Sequence, residues 1–171
     1  SDTDFGLNVD IASNLDVGGD ITVGANNDVI ISGTGLYKHG DRKIMINPIG
    51  GQGINWTLSA GQIVLDLVTS TWEIPLSLQV GWRVESVSVY LEPAGTGSKD
   101  LRVRQTIEDG TSTVIAHRTV TSATESDYQI TTGTGTGIPF TVMDDTAYRV
   151  TVDAGDAGDI IRAIKVIYNQ P

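Results

Sequence analysis

From residue 42 to the end of the chain, apolar and polar residues alternate in short runs, and clusters of Gly and Asp break the runs apart. A period of two sends successive side chains to opposite faces of an extended strand; an amphipathic helix needs a period of 3.6. The pattern predicts strands over 43–49, 54–59, 62–68, 72–80, 83–92, 100–108, 113–121, 127–131, 138–143, 147–153 and 160–168. Turn signals separate them: Gly50-Gly51, the AGTG run at 94–97, Asp109-Gly110, the GTGTG run at 133–137 and the loop at 154–158. Many short strands joined by Gly-rich turns make an antiparallel sandwich or jelly roll. Leu101, Val103, Gln105 and Ile107 share one parity, and Arg102, Arg104 and Glu108 the other. Tyr148, Val150 and Val152 should point inward, with Arg149 and Thr151 outward. Two runs break parity. Trp82 and Val84 are out of phase with Val87, Val89 and Leu91, which a bulge near Glu85 would reconcile. The run IIRAIKVIYN is apolar on both faces, as expected of a central strand covered twice or of a strand that meets a second subunit.

The first 35 residues differ. One short phrase recurs there as Leu7-Asn8-Val9, Leu15-Asp16-Val17, Ile21-Thr22-Val23 and Val29-Ile30-Ile31. Between the phrases stand Ser13-Asn14, Gly18-Gly19, the GANN run at 24–27 and Gly33, all suited to tight turning. Strand, turn and strand at so short a period mark a β-solenoid or an interwoven β-fibre. Each phrase buries only two or three small side chains, too few to offset an ordering cost of about 1–2 kcal/mol per residue. A second surface must cover the row Leu7, Val9, Leu15, Val17, Ile21, Val23, Val29 and Ile31. Copies of the same chain can do so, packed around an axis with their aspartates outward; the plain alternative is an acidic linker.

Composition supports a boundary. Residues 1–35 contain Asp2, Asp4, Asp10, Asp16, Asp20 and Asp28 but no Lys or Arg, and Phe5 is the one aromatic residue before Tyr37. We therefore expect a stalk over 1–35, a hinge over 36–41 and a knob over 42–171. The net charge of −10 argues against nucleic acid and against anionic membrane surfaces. No apolar run approaches the roughly 18 residues of a membrane span, and no signal peptide is visible. The chain has no Cys, so disulfides and thiolate metal sites are excluded. Its start at Ser1 rather than Met suggests a processed piece.

Chemistry-bearing patterns are sparse. With no Cys and no Gly-x-Ser-x-Gly, and with only His39 and His117, a nucleophile and its base are not evident. Glu73 and Glu85 lie next to Trp72 and near Trp82, as an acid beside a sugar platform would. Core tryptophans with solvent glutamates are the plain reading. DAGDAGD places Asp153, Asp156 and Asp159 in one Gly-rich loop, hard oxygen donors that could hold Ca²⁺, although hairpin loops favour Asp and Gly for their own geometry. Asp144-Asp145 is a weaker case of the same kind. GTGTG is followed by a strand pattern rather than a helix, so the dinucleotide reading fails. For stacking on sugar rings, Tyr90 and Tyr128 stand in polar surroundings and are the candidate exposed aromatics.

The segment NLDVGGDITVGANNDVIISGTGLYKHGD resembles the shaft repeats of bacteriophage fibre and tail-fibre proteins, in which phrases like LDVGGDITV precede a compact β-rich tip. The likeness spans residues 7–35; the remainder looks only generally similar to viral β-sandwich tips. The resemblance implies an extracellular, virion-borne homotrimer of rod and knob, attached to other virion proteins, whose knob binds a host receptor, commonly a glycan. It carries over no catalytic residue, and the expected role is binding rather than catalysis. Two alternatives stay open: a monomeric carbohydrate-binding or lectin-like module with an acidic linker, and a capsid decoration protein.

Overall fold

The computed structural model describes residues 42–131 and 137–170. They fall in the unit Tyr37–Pro171. The repeat row from Leu7 to Ile31, the hinge and His39 lie outside the described residues. The strands are β1 (Arg42–Ile46), β2 (Gln52–Ile54), β3 (Trp56–Ser59), β4 (Gln62–Leu65), β5 (Thr71–Leu76), β6 (Arg83–Glu92), β7 (Lys99–Ile107), β8 (Ser112–Val120), β9 (Ser126–Gln129), β10 (Phe140–Thr141), β11 (Thr146–Asp153) and β12 (Asp159–Asn169). The one helical element among the described residues is a 3₁₀ turn, Pro48–Gly50, which Asn47 caps by accepting a hydrogen bond from Ile49 N.

Two antiparallel sheets form a β-sandwich. The five-stranded sheet runs β2-β5-β11-β7-β8. In the other, β6 and β12 are central: β9 and β10 share the free side of β6, while β4 and β1 share the free side of β12, and β3 extends β4. The inner parities meet between the sheets. Trp72, Leu101, Val103, Val150 and Val152 face Leu65, Val87, Val89, Leu91, Ile161 and Ile164, all buried. Phe140 of β10 stacks on Tyr148 of β11 at 4.8 Å between ring centroids, joining the sheets at one end. At the edge, Arg118 of β8 reaches across to β9, donating to Gln129 O at 2.8 Å with its guanidinium 5.2 Å above the Tyr128 ring.

Both parity breaks are bulges. Ile167 pairs with Ser86 and Tyr168 with Val84, so the ladder skips Glu85 and brings Val84 into phase with Val87. A second register shift, between Ile161 and Ala163, returns Ile164, Val166 and Tyr168 to the interior. The two-faced look of β12 is thus partly a change of phase. Its outward Ile160 and Ile167 are half-buried in a central strand.

Candidate functional site

The outer face of the five-stranded sheet is a lattice of polar side chains, because every inward apolar residue on these strands leaves a polar neighbour pointing out. The ladder register aligns them in rows. One row runs Gln52, Glu73, Thr151, Arg102 and His117; the next runs Thr71, Asp153, Asp100 and Thr119; a third places Arg149 beside Arg104. Gln52, Thr71, Glu73, Arg102, Arg104, Arg149, Thr151 and Asp153 of these rows line an open groove of about 580 Å³. A shallower extension of about 380 Å³ continues past Gln52, Glu73 and Arg149 towards Pro75 and Ala147. Strand β2 forms the rim and can lie so close only because it carries glycine. A Cβ on Gly53 would come within 2.0 Å of Thr71 O, and one on Gly51 within 2.3 Å of the Trp72 ring.

Ion pairs fix the groove's side chains. Arg102 donates to Asp100 at 2.8 Å and to Asp153, bridging two strands. Arg149 donates to both oxygens of Glu73 at 3.3 and 3.4 Å, to Thr106 Oγ1 at 3.0 Å and to Ser112 Oγ at 3.2 Å. His117 Nε2 lies 3.2 Å from Asp100, which also accepts from Thr119 at 2.8 Å. Burial of Asp100 works against its charge. The hydrogen bonds from Thr119 and His117 and the charges of Arg102 and His117 outweigh it and hold the carboxyl below its usual range. Two buried polar atoms of the groove, Arg149 Nε and Thr151 Oγ1, have no partner.

The residues singled out from the sequence are scattered by the fold. Trp72 is fully buried and Tyr128 is 6% exposed, its hydroxyl donating to Thr124 O, so neither can stack on a ligand. Trp82 is half-buried against Tyr168, with ring centroids 4.1 Å apart. Tyr90 is exposed, but on the other sheet, and the hydrogen bond and charge of Glu125 push its phenol above the usual value. Glu73 does reach the groove. Glu85 sits in the bulge, bound to Arg83 at 2.8 Å and Asn169 at 3.2 Å. Asp144 and Asp145 belong to an exposed turn in which Asp145 takes a φ of 52°.

The aspartate loop is also built differently from the expected calcium cradle. Asp153 turns outward to Arg102, while Asp156 and Asp159 close on the buried ammonium of Lys99, at 2.6 and 3.7 Å. Lys99 donates further to Gly95 O at 2.5 Å and Gly97 O at 2.9 Å. Asp159 accepts from the backbone N–H groups of Ala94, Gly155 and Asp156. The hydrogen bond from Lys99 leads the influences on Asp156 and keeps its carboxyl below the ordinary range, against the effect of burial. The cation in this loop is therefore the chain's own lysine, and no group of three or more His, Asp or Glu side chains among the described residues converges on a metal position.

The arginine lattice escaped the sequence reading. Arg102, Arg104 and Arg149 were identifiable as outward-facing, but nothing local says that β7 lies beside β11.

No known protein family and no curated protein matches the chain. Among solved structures it is similar to the N-terminal endo-1,4-β-D-xylanase 10B of Clostridium thermocellum, its CBM22-1 and GH10 modules complexed with xylohexaose, at 14% identity and a TM-score of 0.44. That match covers 79% of this chain and 28% of the xylanase, so the chain spans less than a third of it. It is also similar to the C-terminal family 22 carbohydrate-binding module of the same organism's xylanase, at 12% identity and a TM-score of 0.38, covering 75% of this chain and 85% of the module. At such scores neither likeness says what this chain binds.

Proposed function

We propose that residues 42–171 form a saccharide-binding module and that the groove on the five-stranded sheet is its binding surface. The observation that carries this reading is a concave, polar sheet face whose donors and acceptors are held in place by strand register and ion pairs. Such a surface suits a ligand rich in hydroxyls, because preorganised polar groups lose little freedom on binding. Recognition here is by hydrogen bonds rather than by ring stacking, since among the described residues that line the groove the one Trp, Tyr or Phe, Trp72, is fully buried. Binding without catalysis is favoured because the groove's carboxylates, Glu73 and Asp153, are each paired with an arginine.

The stalk reading of residues 1–35 is a proposal of the same standing: three chains zip together through the apolar row and present three modules to a repetitive host surface, as a virion fibre does. Avidity would then supply what a single groove lacks. Light scattering on the intact chain tests this part: the mass of three chains is expected, and the mass of one returns the repeat to a linker. For the groove, affinity electrophoresis against a panel of polysaccharides is the direct test. We expect retardation by at least one of them, lost in Arg149→Ala and kept in Tyr90→Ala. Loss in the Tyr90 variant alone would move the site to the other sheet.

A further inference from the structure

The groove's ion pairs leave one cation over. Asp100 and Asp153 share Arg102, and Glu73 takes Arg149. The side chain of Arg104, half-buried in the same face, has no ion-pair or hydrogen-bond partner among the described residues. The register sets it directly opposite Arg149 on one side and Val114 on the other. Like charges directly opposite in a ladder destabilise it. Glu73 relieves only half of this pair, and at long distances of 3.3 and 3.4 Å. Arg149 Nε and Thr151 Oγ1 add two unpartnered polar atoms beside the same spot, and Thr151 is only 8% exposed.

Resting on the saccharide reading, we infer that the groove selects a saccharide bearing a carboxylate, and that this carboxylate sits between Arg104 and Arg149. A planar guanidinium matches a carboxylate in two parallel hydrogen bonds. The charge balance also limits the ligand. Glu73 and Asp153 line the same groove as the free arginine, and the chain as a whole carries −10. One delocalised negative charge is accommodated there; a densely sulfated or phosphorylated chain meets repulsion from the groove's own carboxylates and from the acidic chain as a whole. The half-compensated arginine pair makes the empty groove less stable than it need be, and the ligand's carboxylate relieves it.

The test uses the intact chain and its Arg104→Gln variant against polygalacturonate, alginate, hyaluronan oligosaccharides and sialyllactose, each beside its carboxyl-reduced counterpart. We expect at least one acidic member to bind, with roughly a tenfold loss on carboxyl reduction, the scale of one charge-assisted pair. A similar loss is expected in Arg104→Gln, and binding should weaken as salt is raised. Thermal melting controls for folding: Arg104→Gln should melt no lower than the parent, because it removes a like-charge contact. Equal binding of acidic and reduced forms, or unchanged affinity in Arg104→Gln, overturns the carboxylate assignment and leaves the saccharide reading standing. Failure to bind any acidic or neutral saccharide overturns both.

Discussion

Two acid–base clusters draw on β7, one through Lys99 and one through Arg102 and Arg104, and they meet opposite standards. Around Lys99 the ammonium, two carboxylates, two carbonyls and several backbone N–H groups satisfy one another, with Lys99 and Asp159 fully buried. In the groove the carboxylates are matched but Arg104 is not, and two buried atoms lack partners. The first cluster is closed and ties loops 93–98 and 154–158 together. The second is open, with capacity left for a molecule from outside. A buried charge that must remain paired is expensive to disturb. A half-exposed one that is left unpaired costs less and, on the proposed reading, is kept for a ligand.

The largest expected effect follows from breaking the closed cluster. Lys99→Met strips Asp159 of its counter-charge in the interior and should cost about 3–5 kcal/mol in denaturant unfolding. A near-normal midpoint would mean the backbone N–H groups alone hold the aspartate. Gly155→Ala comes next. The two loops touch so closely that a Cβ there would lie 2.6 Å from Gly97 and Ser98 backbone atoms, and overpacking of this kind costs about 1–3 kcal/mol. Melting temperature reads it, and an unchanged value would show that the loops can separate freely.

Acid should weaken both clusters. The carboxyls of Asp156 and Asp100 are held below the ordinary aspartate range in the folded chain, so the unfolded chain binds protons more readily than the folded one. Their contribution is complete above the unfolded value near 3.8 and is lost as pH falls through the still lower folded values. Asp156→Asn should therefore flatten part of the decline in melting temperature below that point; an identical decline would assign it to other carboxylates. The smallest effect is expected in the open cluster. Arg104→Gln should leave stability equal or raise it by up to about 1 kcal/mol, the scale of a cross-strand like-charge pair. A clear destabilisation would show that Arg104 is a structural residue after all, and the comparison would collapse.

Much of the sandwich was legible in the sequence because period-two alternation and Gly-rich turns are local signals. The bulge at Glu85 was legible too, since Val84 and Val87 cannot share a face without one. Pairing was not. Lys99 and Asp156 are 57 residues apart, and only the meeting of two loops makes one the counter-ion of the other, so DAGDAGD alone read as a cation cradle. Adjacent strand residues point to opposite faces, so with Glu73 outward the Trp72 side chain turns into the core, where it is fully buried. The arginines of the groove required knowledge that β7 and β11 are neighbours, which is a property of topology rather than of any segment.

The most direct measurement is an NMR titration of the intact, isotope-labelled chain with the strongest binder from the saccharide panel. The account predicts amide shifts gathered on Glu73, Arg102, Arg104, Arg149 and Thr151, with the Tyr90 face unmoved. Shifts centred on Tyr90 and its neighbours, with the groove silent, would contradict it.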